Sequence, residues 1–121
     1  MKVIRTDQIP KQPFDRPIFT GGPVTFQPIL TEEMEKTFDI KLVNFSKGAR
    51  NKFHSHTSDQ VLIVTAGTGI VATKGEEVVI KVGDIVYIPA GENHWHGATK
   101  DSEFSHIYVA SAGSKTIRLE D

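Results

Sequence analysis

The chain has no cysteine, a single tryptophan and only two methionines in 121 residues. Without thiols, disulfides and thiolate metal sites are excluded. No apolar run approaches the ~18 residues of a membrane span, and the opening segment MKVIRTDQIPKQPFD lacks the apolar stretch of a secretory signal. A cytoplasmic protein with no membrane partner is therefore expected. An excess of one charge is also missing: 14 Lys and Arg face 15 Asp and Glu, for a formal net charge of −1. With no basic cluster and no acidic tail, nucleic acid is not an expected partner. Helical periodicity is almost absent as well.

What the sequence does contain is short, evenly spaced, β-branched and aromatic runs punctuated by glycine and proline. FDIKLVNF (38–45), QVLIVTA (60–66), GIVATK (69–74), EVVIKV (77–82), DIVYIP (84–89), HWHGA (94–98) and FSHIYVA (104–110) read as strands. AGTG, KGEE and VGD read as the turns between them, and VTFQPIL (24–30) as a short edge strand interrupted at Pro28. Residues 1–23 hold four of the six prolines and a Gly-Gly pair, the pattern of an extended arm. TEEMEK (31–36) fits either one helical turn or a loop. The expected architecture is all-β: one domain, with an arm and first strands over 1–37 and an antiparallel sandwich or barrel over 38–121.

The five histidines carry the chemistry. His54 and His56 are two residues apart, as are His94 and His96, so on strands each pair shares one face. Pairs on facing barrel strands can converge on one interior point. Trp95 then packs on the opposite face. His106 lies on the last strand, either in the cavity with His96 or outside. Phe53 and Tyr87 are candidates for the cavity mouth or for the core. The Glu pairs at 32–33 and 76–77 read as solvated surface.

Written out, the two blocks are Gly48-x5-His54-x-His56-x3-Gln60-x6-Gly67 and Gly83-x5-Pro89-x-Gly91-x2-His94. They resemble the two cupin motifs, with Gln60 in place of the usual glutamate and Ala98 in place of the asparagine that often closes the second. The resemblance covers residues 38–110 and implies a small jelly-roll β-barrel. It also implies one divalent transition metal held by His54, His56, Gln60 and His94, manganese first, with Fe, Zn, Ni, Co or Cu as alternatives. Homodimers that trade amino-terminal strands are common in the family, so a homodimer is expected. A carboxamide at position 60 cancels none of the ion's charge, which favours Lewis-acid chemistry. Because ligating imidazoles must be neutral, acid below about pH 6 is expected to displace the ion.

HWHGA narrows the resemblance to small cupins that include metal-dependent hydroxynitrile lyases and carboxymuconolactone-decarboxylase-associated proteins. It implies acid–base roles for His96 and His106, although Ala110 stands where those lyases carry a glutamine. His96 could instead orient the cage through a hydrogen bond. Three functions follow as expectations: a metal-dependent lyase, isomerase or tautomerase on a small hydroxyl- or carbonyl-bearing molecule; a non-haem iron dioxygenase; or a non-catalytic cupin that binds a small ligand.

Overall fold

Strands are the only regular structure of any length, as the β-branched pattern requires. The computed structural model describes residues 1–121. The amino-terminal part supplies β1 (Gln12–Pro13), β2 (Phe19–Thr20) and β3 (Val24–Pro28), then the longer β4 (Phe38–Phe45). Next come β5 (Arg50–Asn51), β6 (His54–His56) and the fourteen-residue β7 (Gln60–Thr73). β8 (Glu76–Lys81), β9 (Ile85–Ile88), β10 (Trp95–Ala98), β11 (Phe104–Ser111) and β12 (Thr116–Arg118) complete the chain. All pairings are antiparallel. No helix is long and apolar enough to cross a membrane.

Two curled sheets share β7. Its first half pairs with β11 and β9, and β4, β3 and β1 extend that sheet outward from β11. Its second half pairs with β10 and β8, and β5 and β2 extend the other sheet from β10. This is a half-closed jelly roll. AGTG reads as a turn by its glycines; the chain instead runs through it as one strand. Gly67, at φ 69°, bends β7 at this corner without ending it, because Gly67 still pairs Phe104 and Gly69 already pairs Ala98. The other two turns form as read: Lys74 and Gly75 close a hairpin between Thr73 and Glu76, and Asp84 N–H bonds to the Lys81 carbonyl at 2.9 Å. Residues 31–36 form turns rather than a helix, closed by the Met34 and Glu35 N–H groups on the Thr31 carbonyl.

The region expected as an extended arm runs along both sheets, with β2 on β5 and with β1 and β3 on the β4 side. Two short strands next to the motifs, β5 and β12, escaped the sequence reading because two or three residues carry no readable alternation. Apolar side chains close one end of the roll: Val24, Val43, Phe45, Ala49, Val64, Ile80, Ala98 and Phe104 form the core. Along β11 the inward series runs from buried Phe104 through His106 to half-buried Tyr108, so the core gives way to a polar interior within one strand.

At Gly67 a Cβ would run into the Glu103 carbonyl, and the backbone lies in the left-handed region. Gly67→Ala should therefore cost at least about 2 kcal/mol of stability, read as a lowered urea midpoint with unchanged slope.

Candidate metal centre and cavity

β6 and the residue before β10 bring three imidazoles together. His54 and His94 face each other as an isolated bridge and exchange both backbone hydrogen bonds, at 3.0 and 2.9 Å. His56 follows one pleat along β6. One nitrogen from each of His54, His56 and His94 lies within 4.8 Å of the others. Ring centroids are 4.3 Å apart for His54–His94 and 4.7 Å for His54–His56.

Hydrogen bonds decide which nitrogens face inward. His54 Nδ1 meets the Lys52 carbonyl at 2.6 Å, and His94 Nδ1 meets the Glu92 carbonyl at 2.9 Å. A carbonyl can only accept, so each Nδ1 carries the proton and each Nε2 is left with a bare lone pair. His56 Nδ1 is paired with Thr116 Oγ1 at 3.1 Å, across the β6–β12 ladder. His56 Nε2, His94 Nε2 and Gln60 Oε1 are buried without a hydrogen-bond partner. Gln60 opens β7, is 2% exposed, and lines the same cavity as His54 and His56. Buried acceptors left unpaired are costly, and a cation is the partner that satisfies several at once. The donor set, three imidazoles and a carboxamide, therefore fits a divalent transition metal.

Burial keeps the imidazoles neutral. Desolvation, and next the neighbouring His94, lower His54 to about 3 and His56 to about 4. Desolvation likewise lowers His94 and takes His106 down to about 4. Proton competition for the cage in the folded chain thus begins below the pH 6 expected for free imidazole.

His96 and His106 lie next to the triad. Their rings are 4.9 Å apart, and both rest on Phe45 at 5.8 and 5.7 Å. His106 therefore belongs to the cavity, with His96. The His96 ring is 5.8 Å from that of His94 and 6.1 Å from that of His54. Asn51, on β5, clasps His96 at two points. Its Oδ1 accepts the His96 backbone N–H at 2.8 Å, and its Nδ2 lies 3.1 Å from His96 Nε2. The backbone N–H can only donate, which fixes the amide's orientation. Nδ2 must then donate to Nε2, so Nε2 is bare and neutral His96 carries its proton on Nδ1. That Nδ1, and both nitrogens of His106, are buried without a partner. Desolvation, then neighbouring His106, hold His96 well below its usual range.

Asn51 carries no signal in the sequence, because no spacing rule links it to an N–H 45 positions away. Trp95 takes the opposite face as expected, with the Arg50 guanidinium 4.3 Å above its ring. Tyr87 and Phe53 do not line the cavity. Tyr87 sits outward on β9 and is 62% exposed. Phe14, Phe19 and Tyr108 line it instead, two of them from the segment read as an arm. The cavity holds about 500 Å³, the range of small-molecule sites.

Against this geometry the comparisons fall into place. A family model described as "Cupin domain" matches residues 41–110, more than half of the chain. The protein belongs to the cupin family. It is similar to an (R)-mandelonitrile lyase of Granulicella tundricola, 43% identical over 68 residues, which are 55% of this chain and 52% of that protein. It also resembles an acireductone dioxygenase of a Sulfurihydrogenibium strain, 24% identical over 106 residues, covering 83% of this chain and 56% of that one. The chain spans about half the length of these curated relatives. Among solved structures, a cupin-like protein of Thermotoga maritima is 36% identical with a TM-score of 0.78, over 85% of this chain and 80% of that one. The polyketide cyclase RemF of Streptomyces resistomycificus shares the fold, with a TM-score of 0.87 at 15% identity over 98% of this chain and 85% of that one.

Two outcomes test the site. Replacing Asn51 by Asp leaves only acceptors at both contacts, so the His96 proton should move to Nε2. Long-range nitrogen–proton NMR correlations of labelled histidines read this directly, and an unmoved proton would contradict the clasp. Because the folded values lie below the unfolded ~6.5, the unfolded chain binds more protons between them. Stability of the metal-free chain is then complete above about pH 6.5 and falls as pH drops toward 4. The slope is about 1.4 kcal/mol per pH unit for each histidine that stays neutral, measured by urea unfolding at stepped pH.

Proposed function

We propose that the protein is a metal-dependent lyase or isomerase acting on a small molecule that carries a hydroxyl or carbonyl group. One observation carries this reading: His96 and His106 are buried beside the triad with ring nitrogens that find no partner in the chain. A fold that leaves three such atoms unsatisfied loses about 1–3 kcal/mol for each, and a bound substrate oxygen restores the lost bonds. His54, His56, Gln60 and His94 would hold the ion, which when bound supplies Lewis acidity to an oxygen ligand.

The chain's own part follows from its hydrogen bonds. Asn51 keeps His96 Nε2 occupied, so His96 meets the substrate as a donor through Nδ1–H. His106 has no such clamp and, being neutral, keeps one bare nitrogen to accept a proton. A donor and an acceptor 4.9 Å apart, centroid to centroid, can shift a proton between two positions of one small substrate. Phe45 packs against both rings and Phe104 against His106, which keeps water from that side of the pair. The relative named (R)-mandelonitrile lyase supports the lyase class, and Ala110 argues for a substrate other than that protein's.

A second reading, an iron-dependent dioxygenase, is supported by the relative named acireductone dioxygenase. The two readings part on metal and oxygen. Chelator-treated protein is reconstituted with Mn, Zn or Fe(II), with and without O₂, against hydroxynitriles and unsaturated uronates. Turnover with Mn or Zn in the absence of O₂ is expected. It should fall about 100-fold or more in His96→Ala, with metal content by elemental analysis unchanged. Turnover confined to Fe(II) with O₂ would reverse the order.

A further inference from the structure

The cavity changes character between floor and mouth. At its base are the imidazoles; above them Ile18, Phe19, Val43 and Phe45 form apolar walls; at the rim stand Arg16, Lys41 and Arg118. No aspartate or glutamate lines it. Lys41 occupies an inward position of β4, where the alternation Val43, Phe45 calls for an apolar side chain, and it pairs across the ladder with Tyr108. Its ammonium lies 5.2 Å from the Tyr108 ring centroid and 3.2 Å from Asp39, which offsets its charge.

The two arginines have no such offset. The chain's ion pairs are Lys41–Asp39 and Arg50–Glu120, and neither includes Arg16 or Arg118. The Arg16 guanidinium sits 5.5 Å from the Phe14 ring centroid, with the Lys41 ammonium 5.7 Å from the same ring. Arg118 Nη1 reaches the carbonyl of Pro17, the residue after Arg16, at 3.5 Å. Arg16 Nη1 donates to the Asp15 carbonyl at 3.2 Å, so both guanidinia are tied to backbone carbonyls of the 15–17 segment, and both side chains line the rim of one cavity. Single unpaired arginines are ordinary on a surface. Two that line the mouth of one site without lining carboxylates form an electrostatic funnel, since apolar walls strengthen their field.

We propose that the cavity takes an organic carboxylate. Its anionic end is held at the mouth by Arg16 and Arg118, and its apolar or aromatic body lies along Phe14, Phe19 and Val43. The planar guanidinium meets a carboxylate with two parallel bonds, whereas a neutral amide offers it a single acceptor oxygen and no charge. The oxygen that such a substrate presents to the imidazoles rests on the lyase or isomerase reading above; the anion contact at the mouth does not.

The test compares phenylbutyrate with its neutral isostere phenylbutanamide. The protein is chelator-treated, so that no carboxylate affinity comes from a metal, and binding is followed by NMR shift titration. The acid is expected to bind about ten-fold tighter than the amide. That margin should shrink with added salt. The double variant R16Q/R118Q should erase it by weakening the acid far more than the amide. Equal affinities in the parent chain, a margin that survives in the double variant, or no binding of the acid would each overturn the proposal. None of these results touches metal binding or metal-dependent turnover, so failure at the mouth stays distinct from failure of the lyase reading.

Discussion

Five imidazoles are held neutral inside a sheet, and the architecture is organised around that constraint. A charged histidine at the floor of this cavity would lose its hydration with no carboxylate among the lining residues to replace it. Neutrality alone does not make a site; direction does. The carbonyls of Lys52 and Glu92 take the Nδ1 protons of His54 and His94, and the bare Nε2 atoms are left facing one another. Those carbonyls are available because the chain leaves the regular ladder there: Lys52 lies between β5 and β6, Glu92 between β9 and β10, and His54 and His94 meet only as an isolated bridge. Local irregularity in the sheet is what frees the backbone acceptors that orient the cage.

The same logic extends one pleat further in. His96 sits on β10 with β7 on one side, and on the other the Asn51 side chain takes the place of a ladder partner. A side-chain amide can satisfy a backbone donor and an imidazole acceptor together, which a neighbouring strand cannot. The tautomer of His96 is therefore a consequence of where β5 stops pairing. His106, with neither nitrogen engaged, remains free to answer whatever occupies the cavity. Two chemically equal side chains acquire different capacities from their surroundings alone.

Much of this was legible in the residues. The strands from 38 to 110 and the common face of His54, His56 and His94 follow from alternation and glycine spacing, both local in the chain. What was not legible depends on contacts between distant segments. Gly67 looks like a turn residue because positive φ usually ends a strand; here the sheet curls at that point, and the pairing continues on both sides. Phe14 and Phe19 lie in a proline-rich stretch without alternation, so nothing local marks them as walls of the cavity. Asn51 acts on a backbone N–H far along the chain, and Tyr87 faces outward because β9 presents Val86 and Ile88 to the interior instead.

Charge ties the levels together. The cage is built from groups that carry no charge when they ligate: three imidazoles and a carboxamide. A divalent ion there would keep its full positive charge, since Gln60 offers a dipole where a glutamate would offer an anion. The same absence runs through the rest of the cavity, where the lining includes three cationic side chains and no carboxylate. From mouth to floor, then, an anionic guest meets no carboxylate among the lining side chains, and its own negative charge supplies the compensation that the lining withholds. The substitution at position 60 and the unpaired arginines at the rim lie at opposite ends of one cavity and act in the same electrostatic direction. A glutamate at position 60 would break that arrangement by meeting the developing negative charge of a deprotonated substrate with a charge of its own.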